Sequence, residues 1–172
     1  MRFLAIFLLF FFSSCATTIV REQPKKVEHV YLEPVTNRTP EEGIDVIFTR
    51  VANDVFYSDS RFRVEKNPQP GVTLLVKPSV DSISTFAVGF DQYDRVTEYK
   101  MIISTTVKLI KYGFRKPLHT FSISRYDFYD ATGTPQEIER KRKECIERIA
   151  YQIFREVGEK ITISGEKVGT EK

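Results

Sequence analysis

The run Arg140-Lys141-Arg142-Lys143 is the densest local cluster of charge in the chain. At about 100° per residue, four consecutive cations sweep roughly 300° of a helix surface, so no single side of the helix can bury them. Their chemistry is charge-assisted hydrogen bonding to anionic groups such as phosphates. Arg142 falls on the apolar stripe of Ile138, Cys145 and Ile149. Either its stem lies along the core edge with the guanidinium outside, or this turn projects beyond the core. Cations near a helix start oppose the dipole. Glu137, Glu139 and Glu144 offer intrahelical partners, so an ordinary solvated turn also fits. A second candidate is the loop Val88–Arg95, VGFDQYDR, which sets Phe90 and Tyr93 beside Arg95. Such a tip can meet an amphiphile with a phosphate head, and ordinary hairpin tips have the same composition.

Covalent chemistry centres on one thiol. No Gly-x-Ser-x-Gly, His-Glu-x-x-His or phosphate-binding loop occurs, and Asp81, Asp91 and Asp94 lack a partner pattern. The expectation is a protein that is not an enzyme. His29 and His119 show no ligand spacing, so neither a metal nor a diffusible cofactor is expected. Cys15 stands out by position. Arg2 is followed by the apolar run Phe3–Phe12 and then by Ser13-Ser14-Cys15. Ten apolar residues are too few for a transmembrane helix, which needs about 20. A positive start, a short apolar run and small residues make a secretory signal. A cysteine directly after the small residues fits a bacterial lipobox, although Phe12 takes the place usually held by leucine. Residues 1–14 read as a lipoprotein signal peptide and Cys15 as the acylated residue, giving a covalent lipid anchor. The alternative is an ordinary signal cut near Ser14, leaving Cys15 a plain thiol. Cys145 lies on the apolar stripe of a helix and reads as a buried core residue.

Composition bounds the rest. Hydrophobic residues make up 41% and charged residues 28% of the 172, which marks a globular domain of ordinary core size. The formal net charge is +3, too small a field to favour nucleic acid as a partner. Residues 15–26 read as the lipidated start and a tether, 27–164 as one domain, and 165–172 as a polar, disordered tail.

Two segments open alike, Thr39-Pro40-Glu41-Glu42 and Thr134-Pro135-Gln136-Glu137. Both predict a helix start with a capping box and Pro at the first helical position. The first helix buries Ile44, Ile47, Phe48, Val51 and Val55 and ends at Ser58-Asp59-Ser60. The second buries Cys145, Ile146, Ile149, Ala150, Ile153 and Val157 and is expected to stop at Gly158. Elsewhere the period is two: around Val30 and Leu32, briefly at Arg61–Val64, from Gly71 to Phe86, along Tyr99–Leu109, and at Phe121 and Ile123. Pro78 hints at an edge or a bulge. The predicted fold is α+β, a two-layer sandwich in the order β-α-β-β-β-α, with two helices on one face of a mainly antiparallel four-stranded sheet. The other sheet face carries Lys100, Ser104, Thr106 and Lys108 beside Thr120, Ser122 and Ser124. It is either a solvated back or a face that packs on a polar partner wall.

Three segments, in order, resemble the lipopolysaccharide-assembly lipoprotein family LptE: VYLEPVTNRTPEEGI, DRVTEYKMIISTTVKL and SRYDFYDATGTPQEIERKRKECIERIAYQIFREV. Cys15 is followed by Ala-Thr-Thr, where many members have Gly and an aromatic. The resemblance implies the sandwich fold and a lipid-anchored protein on the periplasmic side of the outer membrane. It implies a plug inside the LptD β-barrel that helps the barrel assemble and contacts lipopolysaccharide in transit. It places Arg95 in the hairpin that meets lipopolysaccharide; Arg140, Lys141, Arg142 and Lys143 are added here on charge alone. The alternatives are a lipoprotein scaffold of another machine, for barrel assembly or secretion, and a periplasmic lipid-binding or lipid-hydrolysing protein.

Overall fold

The computed structural model describes residues 27–169, with side chains through Ile163. In chain order the elements are β1 (Glu28–Leu32), β2 (Thr36–Asn37), α1 (Ile44–Ser58), β3 (Phe62–Val64), β4 (Leu74–Phe90), β5 (Val96–Lys111), β6 (His119–Asp130) and α2 (Pro135–Gly169). Both helices cover one face of the sheet, as the two-period and 3.6-period patterns predict. The sheet itself differs from expectation. It has six strands rather than four, ordered β3-β1-β4-β5-β6 with β2 also paired to β4. It is mixed: β1 runs parallel to β3 and β4, and β2 parallel to β4. A two-residue strand such as β2 has no period to detect, and parallel pairing follows from where α1 returns the chain. Pro78 sits where β4 lacks a neighbour on that side, after the Leu32–Val76 pair and before Thr36–Ser79. There its missing N–H costs no ladder bond.

Alternation assigns the core. Met101, Ile103, Val107 and Leu109 of β5, Ile123 of β6 and Val76 and Val80 of β4 are buried on the helical side. Against them lie Ile44, Phe48, Val51, Val55 and Phe56 of α1 and Cys145, Ile146, Ile149, Ile153, Phe154 and Val157 of α2. Phe48 and Phe154 meet edge to face at 6.0 Å. Thr105 lies on the same face, fully buried, and its hydroxyl has no hydrogen-bond partner in the structure. Thr105→Val keeps the shape and removes the orphan hydroxyl. It should raise the free energy of unfolding by about 1 kcal/mol, read from the urea midpoint at constant slope.

The two predicted caps diverge. At α2 the capping box forms: the Thr134 N–H donates to Glu137 Oε2 at 2.7 Å, and the Glu137 N–H donates to Thr134 Oγ1 at 3.3 Å. At α1 it does not. The helix begins at Ile44 after Gly43, whose φ of 76° is a left-handed conformation, and no side chain caps it. Thr39 instead joins a turn built on Asn37, whose Oδ1 accepts from the Thr39 N–H and hydroxyl, both at 2.8 Å. Gly43 breaks the path between that turn and the helix. The expected stop at Gly158 is also corrected, because α2 continues through it to Gly169. Gly158 serves contact: a Cβ there would sit 3.3 Å from the Phe62 ring.

Candidate functional site

The face of the sheet away from the helices divides into bands by register. At one end, Phe86, Lys100 and Phe128 form a row across three strands, followed by Ser84, Ile102 and Tyr126. Next come two hydroxyl rows, Ser82-Ser104-Ser124 and Ser79-Thr106-Ser122. Hydroxyls bond across strands, Ser104 to Ser124 at 3.2 Å and Thr106 to Ser122 at 2.9 Å. Lys77 and Lys108 follow. Ser79 is buried and its hydroxyl donates to Asp81 Oδ1 at 3.0 Å. The other short side chains keep this middle band shallow, and their hydroxyls retain capacity for a further partner. The aromatic end was missed in the sequence. Tyr126 and Phe128 continue the even-numbered face of Ser122 and Ser124, so the period of two carried the signal. Lys100 Nζ lies 4.1 Å from the centre of the Tyr126 ring, a cation–π contact.

Beyond the aromatic end is the β4–β5 turn. Asp91 organises it: its Oδ1 accepts from the Tyr93 N–H at 2.8 Å and the Arg95 N–H at 3.0 Å, while Arg95 Nε donates to Oδ2 at 2.7 Å. The Arg95 guanidinium holds the Asp91 carboxyl below its ordinary range. Arg95 is exposed, lies 5.3 Å from the Tyr93 ring, and has Asp91 as its counter-charge. Phe90 and Tyr93 are exposed beside it. The turn into α2 is at the same end, since the Ala131 N–H donates to Thr97 O. The structure thus brings the Arg95 loop and the 140–143 cluster to one end of the molecule.

Within the cluster the four cations separate. Arg142 takes the first of its two expected courses: its side chain is only 22% exposed and is paired to Glu41 ahead of α1. That hydrogen bond raises its pKa further. Lys141 is also drawn inward, donating to Thr132 O at 2.9 Å and pairing with Asp130 at 3.1 Å. Asp130 also accepts from the Thr132 N–H and hydroxyl, and these bonds with Lys141 lower its pKa to about 2. Arg140 and Lys143 are each 61% exposed, and their partners Glu144 and Glu139 lie on the same helix. Arg140 and Lys143 can therefore turn to an external anion without opening the fold.

Cys15 lies outside the described residues. Cys145 is buried, and desolvation pushes its thiol up to about 11, so it is not a nucleophile. His29 bonds Glu65 at 2.7 Å. Among the described residues no group of three or more His, Cys, Asp or Glu could hold a metal ion. None of their helices is long and apolar enough to cross a membrane.

In fold the domain is similar to rare lipoprotein B of Shewanella oneidensis, with a TM-score of 0.57 and 13% identity over 81% of this chain and 98% of that one. It is similar to a protein of Xanthomonas campestris, with a TM-score of 0.56 and 9% identity over 87% and 92%. It is also similar to a hypothetical protein of Chlamydia trachomatis, with a TM-score of 0.54 and 11% identity over 79% and 96%. At these identities the shared property is the fold. No curated protein matches the chain. The family model LptE, described as lipopolysaccharide-assembly, does match, and over residues 27–161, so the chain belongs to that family.

Proposed function

We propose that this chain is an outer-membrane lipoprotein, held at the periplasmic side by acyl chains on Cys15, that plugs the lumen of the LptD β-barrel. In that seat it helps the barrel assemble and contacts lipopolysaccharide on its way to the surface. The supporting observation is the sheet face away from the helices: two rows of short hydroxyl side chains, exposed or half-buried at every position but Ser79, on three strands of 12 to 17 residues. The lumen wall of such a barrel is polar, and this band is polar, shallow and rich in unspent hydrogen-bonding capacity. The role asked of the chain is binding and positioning, and no step of it needs a catalytic group. The direct test is purification of the chain from native membranes in mild detergent, with mass spectrometry of what accompanies it. A β-barrel in equal amount, identified as LptD, supports the reading; a different barrel or a secretion pore overturns it.

Lipopolysaccharide contact is assigned to the end that carries Arg95, Arg140 and Lys143, with Lys100, Tyr126 and Phe128 at the same end on the sheet face away from α2. Arg140→Glu with Lys143→Glu should weaken lipopolysaccharide binding about tenfold or more, because each hydrogen bond to a charged group contributes roughly 1.5–3 kcal/mol. The melting temperature should stay unchanged, since both side chains are exposed. Unaltered binding would remove the helix α2 part of the site and leave the plug reading standing.

A further inference from the structure

The end of the sheet opposite the Arg95 loop carries a second surface that neither the family nor the hydroxyl face accounts for. By parallel register, Val30 is level with Leu74 and Leu32 with Val76, so β1 enters at the end where β4 begins. Leu74 pairs with Lys111, and Leu109 with His119, so the β5–β6 turn, residues 112–118, is at that end too. The 26 residues that precede the described structure therefore join it beside this turn. The Arg95 end is about 50 Å away, the length of β4 at roughly 3.3 Å per residue.

The turn reads YGFRKPL. It is held from below: the Gly71 N–H donates to Tyr112 O at 2.9 Å, the Tyr112 N–H to Thr73 O at 2.9 Å, and the Leu118 N–H to Leu109 O at 2.8 Å. Gly113 has a φ of 91° and lies against Pro70. This fixed turn presents Phe114 at 64% and Leu118 at 55% exposure, with Val27 and Val72 exposed at the same end. Lys111 ends β5 beside the turn, Arg115 and Lys116 lie within it, and none of these three enters a described ion pair. Among the described carboxylates at this end, Glu65 pairs with Arg63 and His29, and Glu159 with Arg61. Glu28 stands at the start of β1.

We infer that the β5–β6 turn is a membrane-contact element, seating Phe114 and Leu118 in the headgroup boundary of an anionic phospholipid surface under Lys111, Arg115 and Lys116. Two features select a bilayer over a protein partner. The exposed residues are an aromatic and an aliphatic interleaved with cations that enter no ion pair among the described residues, the composition that binds an interface. The chain that leads to Cys15 also emerges at this end, so an acyl anchor, on the reading above, would hold this turn near the lipid. A cationic patch adds about 1 kcal/mol per Lys or Arg at an anionic surface, which complements acyl chains in stable anchoring. The inference rests on the anchor reading only for proximity, and the test separates the two.

The chain has no tryptophan, so a single introduced indole reports its own surroundings. Full chain carrying Phe114→Trp, and separately Phe90→Trp at the far end, is purified from membranes and reconstituted into vesicles of phosphatidylethanolamine and phosphatidylglycerol. Intact mass reports whether Cys15 is acylated. The Phe114→Trp indole should emit to the blue and be quenched by lipids brominated on the acyl chain, while Phe90→Trp should stay aqueous. Arg115→Glu with Lys116→Glu, or replacing phosphatidylglycerol by phosphatidylcholine, should bring the Phe114→Trp signal down to that of Phe90→Trp. Quenching without acylation would keep the inference and remove the anchor reading. An aqueous indole at 114 in vesicle-bound chain, equal quenching at both positions, or loss of the protein from the vesicles would overturn it.

Discussion

Ser122→Arg with Ser124→Arg should abolish co-purification of the barrel while leaving the domain as stable as before. Both serines are exposed on the edge strand β6, at one end of the two hydroxyl rows. Two arginines there put long, charged side chains where the proposed seat offers room for hydroxyls. An unmatched charge pressed into an interface costs several kcal/mol, which is about a hundredfold or more in affinity. In the free domain the same side chains reach into water, and the substitutions lose only the bonds to Ser104 and Thr106. Exposed changes of this kind stay within about 0.5 kcal/mol in stability. Tyr151→Arg is the matched control, because Tyr151 is exposed on α2, in the layer on the other side of the sheet. Retained barrel with the serine pair and lost barrel with Tyr151→Arg would turn the plug around, with helices against the wall.

The residues that bury themselves were the legible ones. The stripe from Cys145 to Val157 and the alternation from Tyr99 to Leu109 appear in the structure on the faces expected of them. Period is a local property, and one window of sequence contains it. What failed was not local. Thr39-Pro40-x-Glu and Thr134-Pro135-x-Glu are near-identical strings, yet only the second caps a helix. Asn37, two residues upstream, captures Thr39, and Gly43 resets the chain. Gly158 has the character of a stop but sits inside a helix because Phe62, nearly a hundred residues earlier, needs its space. The charge cluster shows the same limit. Spacing put Arg142 on the apolar stripe, but its tie to Glu41 depends on α1 lying alongside α2. The sequence sets only Arg142 apart from the other three cations, and the fold leaves Arg140 and Lys143 as the two with reach.

The largest loss of stability is expected at Phe154→Ala. Phe154 is fully buried in α2 and meets Phe48 of α1 edge to face, so it joins the two helices as well as filling the space above the sheet. Truncation removes the ring and leaves a void that Ile149, Ile153 and Val157, all buried on the same stripe, are too constrained to fill. Phe→Ala in a core costs about 3–5 kcal/mol, against a total of roughly 5–15 kcal/mol for a domain. The urea midpoint should fall by about a fifth or more of its value. The loss should also appear where no ligand is involved: Cys145, on the buried face of α2, should react with a maleimide faster as unfolding becomes frequent. Phe154→Leu keeps most of the apolar volume and should recover more than half of the lost free energy. A near-normal midpoint for Phe154→Ala would mean that α1 and α2 are held to the sheet separately and that the aromatic pair between them is incidental. Barrel co-purification adds the functional reading. If the hydroxyl face is the seat, the Phe154→Ala chain should still bind whenever it is folded, so its barrel yield should track the folded fraction, whereas the serine-to-arginine pair should lose the barrel with the folded fraction intact.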